Sequence, residues 1–260
     1  MTQGPPARAV ARISGDAGPL PQLVLLHGAG GSSDDWPPEL RSLPGRRVLA
    51  VDLPGHGAAP GPAPRSIGSL AAAVEALLDA SGVAQAAVAG HSMGGAVALS
   101  LALSRPARVA ALVLVATGAR LRVAPELLAA AASPDGLAVA AGRLADRSFG
   151  PAASAEARDA RARAMAALPA GVLHGDLAAC DAFDVMDRLV ELGVPTVVVC
   201  GTEDRLTPPR YASFLAERIA GARLVLVPGA GHLVMLEEPR AVAAAIAALP
   251  AGPDGRRATP

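Results

Sequence analysis

Short runs of apolar residues recur along the chain and predict the strands of one sheet. Leu23-Val24-Leu25-Leu26 is apolar at consecutive positions, which is typical of a strand that is covered on both faces. An earlier segment, Ala9–Ile13, is predicted to pair with the strand at Leu23–His27 through a Gly- and Pro-containing turn. The further predicted strands are Val48–Asp52, Ala86–Ala89, Val109–Val115, Val194–Cys200 and Leu224–Val227.

Between these strands, apolar positions recur at helical spacing. The helices predicted on this basis are Ile67–Ala80, Met93–Ser104, Pro209–Ile219 and Pro239–Leu249. Apolar strands that alternate with helices are typical of a parallel sheet that carries helices on both faces. The pattern therefore predicts an α/β fold with a mostly parallel, doubly wound sheet.

The alternation is interrupted between Gly118 and Leu192, where no strand pattern occurs. A loop of this length without secondary structure would be unusual in a compact domain. The helices predicted here are Glu126–Ala132, Leu137–Arg147, Ala153–Leu168 and Val172–Leu189. We therefore predict a core formed by residues 1–117 and 193–251, a helical cap inserted at 118–192, and a disordered tail at 252–260.

Composition and charge narrow the classes of partner. The formal net charge is 0, with 23 basic and 23 acidic residues, and no basic stripe is evident that would bind nucleic acid or an anionic membrane. The N-terminal segment 1–12 has no apolar region of the kind found in signal peptides, and no apolar run is long enough to cross a bilayer. Cys180 and Cys200 are predicted to be buried, reduced thiols. We expect a cytoplasmic protein with a small-molecule substrate; its oligomeric state stays open.

The clearest candidate for chemistry is Gly90-His91-Ser92-Met93-Gly94, which matches G-x-S-x-G between a buried strand and an apolar helix. A sharp turn at this point would lift the serine clear of the sheet, and glycines would avoid crowding that turn. The alternative is a Gly- and Ser-containing turn without a catalytic role. We predict Ser92 as a nucleophile.

A serine hydroxyl needs a base to remove its proton, and the base needs a carboxylate to orient it. His232 follows the last predicted strand, at the same carboxyl edge of the sheet as Ser92. Asp204 follows the preceding strand, and no carboxylate follows the strand before that. We predict His232 as the base and Asp204 as the acid, with Glu203 as the alternative acid. Asp204 could instead serve only as a helix cap.

The glycine-rich loop after the second predicted strand is a candidate for half of an oxyanion hole. In His27–Ser32, the glycines would let the backbone approach a ligand closely. We predict the backbone N–H groups of Ala29 and Met93 as the donor pair. The loop matches neither phosphate-binding glycine motif, and no two histidines have the spacing of metal ligands. No cofactor and no metal are therefore expected.

With these residues together, the chain resembles the α/β-hydrolase superfamily over nearly its full length. The resemblance implies a triad in the chain order Ser92, Asp204, His232, and structural roles for His27 and His56. The segments that carry it are Leu25-Leu26-His27-Gly28, Asp52-Leu53-Pro54-Gly55-His56-Gly57, Gly90–Gly95, Gly201-Thr202-Glu203-Asp204 and Gly231-His232.

Within the superfamily, residues 117–123 and 179–184 resemble the small, capped carboxylesterases. This resemblance implies a cofactor-free serine esterase that acts on carboxylic esters of small to medium size through an acyl-enzyme. A serine nucleophile also argues against the haloalkane dehalogenases and epoxide hydrolases of this fold, which use an aspartate. The cap would set the choice of substrate, and Phe149, Phe183 and Leu173 are candidates either for an acyl pocket or for core packing.

Other functions remain open at this stage, because the same triad serves several reactions. The enzyme alternatives are a lactonase, a C–C bond hydrolase, a thioesterase and a perhydrolase or haloperoxidase. A non-catalytic ligand receptor on the same fold is an alternative from another class. Turnover of esters, thioesters or lactones would distinguish an enzyme from a receptor.

Overall fold

The centre of the fold is a seven-stranded sheet. In the computed structural model, residues 8–59, 61–62 and 66–250 are described, so the predicted disordered tail lies outside the described residues. The strands are β1 (Val10–Ser14), β2 (Leu23–Leu26), β3 (Val48–Asp52), β4 (Ala86–His91), β5 (Val109–Val115), β6 (Thr196–Gly201) and β7 (Arg223–Val227). Their spatial order is β1-β3-β2-β4-β5-β6-β7, and all neighbouring pairs except β1 with β3 are parallel. The predicted doubly wound α/β fold is confirmed.

The predicted pairing of the first two strands is wrong. β1 runs antiparallel to β3, with Val10 opposite Asp52, and does not pair with β2. Both edges of β2 are occupied, one by β3 and the other by β4. Because every residue of β2 is buried, the strand belongs in the interior of the sheet, and β1 is left to pair with the outer edge of β3.

Helices cover both faces of the sheet, and alternate strand residues face opposite layers. Val24 and Leu26 pack in one cluster, whereas Leu23 and Leu25 pack in the other, which explains why β2 is apolar at every position. The helices outside the interval between β5 and β6 are α1 (Pro38–Arg41), α2 (Ile67–Ala80), α3 (Met93–Ser104), α8 (Pro209–Arg218), α9 (Val234–Glu237) and α10 (Pro239–Ala247). The first cluster contains residues from α2, α3 and α8, and the second contains residues from α1, α9 and α10.

Four α-helices lie between β5 and β6, in the segment predicted as a cap. They are α4 (Pro125–Ala131), α5 (Pro134–Ser148), α6 (Ala155–Ala166) and α7 (Val172–Asp181). We refer to α4–α7 as the inserted helices. They have an apolar cluster of their own, in which Leu144 of α5, Met165 of α6 and Leu177 of α7 are buried.

The helix predicted over Val172–Leu189 is shorter than expected. α7 ends at Asp181, and a 3₁₀ helix at Met186–Glu191 follows it. In between, Asp184 forms an isolated antiparallel bridge with Arg120, and the backbone N–H of Val185 donates to Ala119 at 2.8 Å. These contacts join the two ends of the insertion, and they require extended backbone where the sequence pattern predicted a helix.

Within the described ranges, none of the helices combines the length and apolar character that a transmembrane span requires.

Candidate active site

Ser92 lies in a strained turn between β4 and α3. Its backbone φ of 52° and ψ of −116° place it in a region that side-chain-bearing residues rarely adopt. Two hydrogen bonds hold the turn: the Ser92 N–H donates to Val115 O at 2.9 Å, and the Thr117 hydroxyl donates to Ser92 O at 2.7 Å. Such strain costs about 1–3 kcal/mol and persists only where the surrounding structure enforces it.

The glycines on either side of Ser92 allow close backbone packing in this turn. A Cβ atom on Gly90 would collide with the carbonyl of Gly94, and one on Gly94 would collide with the carbonyls of Leu26 and His27. The G-x-S-x-G spacing is thus explained by the approach of α3 to β2 and to the end of β4.

Asp204 and His232 are joined by a hydrogen bond. The His232 Nδ1 lies 2.9 Å from Asp204 Oδ2, and the Asp204 side chain is fully buried. Thr207 donates to the same carboxylate through its backbone N–H and its hydroxyl, at 2.9 and 2.8 Å, and the Leu206 N–H donates at 2.8 Å. Burial alone would raise the pKa of Asp204, but His232 and the Thr207 donors outweigh it and hold that pKa below its ordinary value.

Glu203, the alternative acid, lies elsewhere. It is exposed, and its carboxylate lies 3.5 Å from the hydroxyl of Thr202 rather than beside His232. The structure therefore brings Asp204, and not Glu203, to the histidine.

His91, the residue before Ser92, also faces the site. Its ring packs against the ring of His232 with a centroid distance of 4.7 Å, and its Nε2–H donates to the backbone carbonyl of His232 at 3.0 Å. β4 extends to His91, so this side chain lies at the carboxyl edge of the sheet beside the loop that carries His232. Burial, followed by the proximity of His232, lowers the pKa of His91 well below its ordinary value. A neutral His91 thus supports the backbone of the predicted base.

Ser92 and His232 line the same cavity, which has a volume of about 230 Å³. Ala29 also lines it, as do Leu127, Leu144, Met165 and Leu177 from the inserted helices. Within the described residues no hydrogen bond joins Ser92 to His232, and such bonds often form only when substrate is bound. The cavity therefore lies between the sheet edge and the inserted helices.

The two predicted oxyanion donors lie near Ser92, since Met93 follows it in the chain and Ala29 lines the same cavity. Met93 is the first residue of α3, where backbone N–H groups have no partner within the helix. Neither the N–H of Met93 nor that of Ala29 donates to an acceptor in the described part of the chain. Both groups are therefore available to a ligand oxygen, and Ala29 lies at the cavity wall.

The three candidates for an acyl pocket lie in the apolar core and not at the cavity wall. Phe149, Phe183 and Leu173 are buried in three different apolar clusters and are not among the residues that line the cavity.

The described residues contain no group of three His, Cys, Asp or Glu side chains placed to hold a metal ion. Cys180 does line the cavity, but burial raises the pKa of its thiol, so it is no candidate for a thiolate nucleophile at neutral pH. Cys200 is also a buried free thiol, and burial raises its pKa to about 12.

Asp176 of α7 is a residue of this region that the sequence patterns did not reveal. Its fully buried carboxylate accepts hydrogen bonds from the backbone N–H of Gly30 and from His56 Nε2, both at 2.8 Å. One side chain thus joins the inserted helices to the glycine-rich loop that carries Ala29. The available indication was a carboxylate on the apolar face of a helix, between Leu173 and Cys180.

The ion pair of His56 with Asp176 leads to a prediction about pH and stability. Burial alone would lower the pKa of His56, but the Asp176 hydrogen bond and charge outweigh it, so that pKa is raised above 6.5. A raised pKa contributes stability that is fully present below 6.5 and is lost as the pH rises through the folded-state value. Asp176→Asn should therefore lower the free energy of unfolding by about 1–3 kcal/mol at acidic pH and by less at alkaline pH.

Urea unfolding at a series of pH values from about 6 to 9 measures this difference. Asp187→Asn, an exposed change beyond the end of α7, is the control and should have little effect. An equal loss of stability at every pH would show that the charge on His56 does not contribute.

Known proteins share the fold of this chain. A sequence profile described as alpha/beta hydrolase fold matches residues 21–239. The chain belongs to the α/β-hydrolase fold family. The site described above lies at the carboxyl edge of this family's sheet, where open α/β folds bind ligands.

Relatives of this α/β-hydrolase-fold protein include esterases. A pimeloyl-[acyl-carrier protein] methyl ester esterase from Neisseria meningitidis is 33% identical, over 86% of this chain and 91% of that protein. A thermophilic esterase of known structure is 33% identical, with a TM-score of 0.76, over 92% of this chain and 96% of the other. The polyketide synthase ThaQ from Burkholderia thailandensis is 36% identical over 88% of this chain, but the chain spans only 12% of its length.

Proposed function

We propose that this protein hydrolyses carboxylic esters of small to medium size through an acyl-enzyme on Ser92. The observation that carries the proposal is the buried Asp204–His232 hydrogen bond beside a cavity that Ser92 also lines. A strained serine, an oriented imidazole and unpartnered backbone N–H groups are the parts that acyl transfer requires. The esterase relatives support the same class of reaction.

In the proposed mechanism, His232 Nε2 accepts the proton of the Ser92 hydroxyl as its oxygen attacks the ester carbonyl carbon. The carbonyl oxygen becomes an oxyanion and accepts hydrogen bonds from the N–H groups of Ala29 and Met93. Asp204 keeps the proton of His232 on Nδ1, so that Nε2 faces the reaction, and it stabilises the imidazolium once formed.

The same groups complete the cycle. His232 gives its proton to the leaving alcohol as the carbon–oxygen bond breaks, which leaves an acyl group on Ser92. A water molecule then gives a proton to His232 and attacks the acyl carbon, and the acid leaves as the Ser92 hydroxyl is restored. No electron carrier or metal is needed for these steps.

The cavity of about 230 Å³ is smaller than the roughly 300–1,000 Å³ typical of sites for drug-sized ligands. Short acyl chains are therefore the expected substrates. Lactones, thioesters, C–C bonds and peracids remain possible substrates for the same residues, and a receptor remains the alternative from another class.

A substrate panel tests the proposal. We expect the protein to hydrolyse short p-nitrophenyl esters faster than long ones, with matched thioesters, lactones and amides as the comparison. We also expect a fluorophosphonate probe to label Ser92, as detected by peptide mass spectrometry. Ligand binding without turnover of any acyl compound, and without labelling, would favour the receptor.

A further inference from the structure

The charged residues that line the cavity all carry the same sign. In the described part of the chain they are Arg122, Arg147, Arg161 and Arg205, and no aspartate or glutamate is among the lining residues. The chain as a whole has a net charge of 0. A neutral protein thus concentrates positive charge around one cavity.

One of the four arginines has a structural partner. The Arg161 guanidinium lies 2.8 Å from the carboxylate of Asp35 and 3.4 Å from the Ala29 carbonyl, and the side chains of Arg161 and Asp35 are about nine-tenths buried. Asp35 compensates the charge of Arg161, and the contact with Ala29 supports the glycine-rich loop. Arg161 therefore has a structural role, and its charge is not free to attract a ligand.

Among the described residues, none of the other three arginines forms an ion pair with a carboxylate. Arg122 donates to the backbone carbonyl of Asp181 at 2.7 Å, and Arg205 donates to the backbone carbonyl of Asp146. Arg147 forms no ion pair or side-chain hydrogen bond with any described residue. We call Arg122, Arg147 and Arg205 the arginine rim.

The arginine rim comes from three separate parts of the chain. Arg147 lies in the last turn of α5, Arg122 lies between β5 and α4, and Arg205 lies in the loop between β6 and α8. All three line the cavity that contains Ser92. Guanidinium groups bind carboxylates and phosphates through paired N–H donors, so this arrangement suits an anion that enters the cavity.

We propose that the arginine rim binds an anionic group at the end of the substrate remote from the scissile carbonyl. The substrate is then a small ester whose acyl or alcohol part ends in a carboxylate or phosphate. This inference rests on the proposed function of Ser92, since it concerns the substrate of the same cavity. The apolar residues that line the same cavity, which include Leu127, Leu144 and Leu177, suit the aliphatic stem of such a molecule.

Matched substrates test the inference. Monoethyl esters of linear dicarboxylic acids of increasing length are compared with ethyl esters in which an isopropyl group replaces the free carboxylate. A second series places the carboxylate on the alcohol side, as in carboxymethyl acetate, with isobutyl acetate as its neutral match. For at least one length we expect kcat/KM to be tenfold or more higher for the anionic ester, with the advantage decreasing as ionic strength rises.

Substitutions in the arginine rim test whether these residues cause the preference for anionic esters. Arg147→Gln and Arg205→Gln should each lower the ratio of anionic to neutral kcat/KM about fivefold, and Arg147→Glu should lower it further. Arg143→Gln is the matched control, because Arg143 lies one turn earlier on α5 and does not line the cavity. It should leave the ratio unchanged, and circular dichroism would verify the fold of each variant.

The outcomes separate this inference from the proposed function. Equal kcat/KM for anionic and neutral esters at every length, with turnover still dependent on Ser92, would overturn the anion site alone. An anionic preference that Arg147→Gln and Arg205→Gln leave intact would also overturn it. Failure of all esters, charged or neutral, would contradict the proposed function.

Discussion

Replacing Ser92 by alanine should lower kcat/KM for a short ester by about 10⁴- to 10⁶-fold, with the residual rate coming from binding and the oxyanion donors. Alanine keeps the Cβ atom, so the strained backbone of the turn is retained. The bonds that hold the turn, from Ser92 N–H to Val115 and from Thr117 to Ser92 O, do not involve the serine hydroxyl. The fold should therefore persist, and single-turnover assays should detect no acyl-enzyme.

Ser100→Ala is the matched control for this change, since Ser100 lies further along the same helix and does not line the cavity. It should retain the parent activity. Cys180, the thiol in the cavity wall, should not substitute for the serine, because burial keeps it protonated. A Ser92→Ala protein with full activity would exclude the proposed mechanism, whatever its substrate.

The hydrogen bond between Asp204 and His232 could be predicted because the topology of the sheet places both residues at one edge. In a parallel sheet, the carboxyl ends of all strands lie at one edge, so loops after β4, β6 and β7 converge there. Ser92 and the two triad candidates each follow one of those strands. Knowledge of three strand ends was therefore sufficient to place Ser92 at the same cavity as His232, which lies 140 positions later in the sequence.

Contacts made by the inserted helices could not be predicted in this way. Asp176 contacts His56 and Gly30 only because α7 packs over the glycine-rich loop. The arginine rim likewise depends on how α5 lies against the loop after β6, and helical periodicity gives the buried face of a helix but not its neighbour. The residues proposed for catalysis and those proposed for substrate binding thus differ in how far the sequence reveals them.

Local sequence patterns were also least informative where long-range contacts determine the conformation of the backbone. The apolar spacing of residues 172–189 fits a helix, yet the bridge between Arg120 and Asp184 requires an extended segment there. The antiparallel pairing of β1 with β3 is a second case. β3 and β4 occupy the two edges of β2, so β1 pairs with the outer edge of β3 instead. In both cases tertiary pairing overrides local propensity.

Asp204→Asn should reduce kcat/KM by about 10³- to 10⁴-fold while leaving the protein folded. The amide oxygen of asparagine, in the position of Oδ1, would still accept from the backbone N–H groups of Leu206 and Thr207, which would place the amide NH₂ in the position of Oδ2, toward His232 Nδ1. Nδ1 would then become an acceptor, and the single proton of neutral His232 would move to Nε2. The histidine could no longer accept the Ser92 proton, although every atom of the site kept its place.

Glu203→Gln is the matched control for Asp204→Asn, because the two acids are adjacent and only Asp204 contacts His232. It should retain the parent kcat/KM. Since the pKa of Asp204 is held below 3.8, the parent carboxylate is ionised at neutral pH, so the loss in Asp204→Asn should be present at neutral pH. If Glu203→Gln lost activity and Asp204→Asn did not, the acid of this site would have to be reassigned to Glu203, and the buried Asp204 would be a helix cap alone.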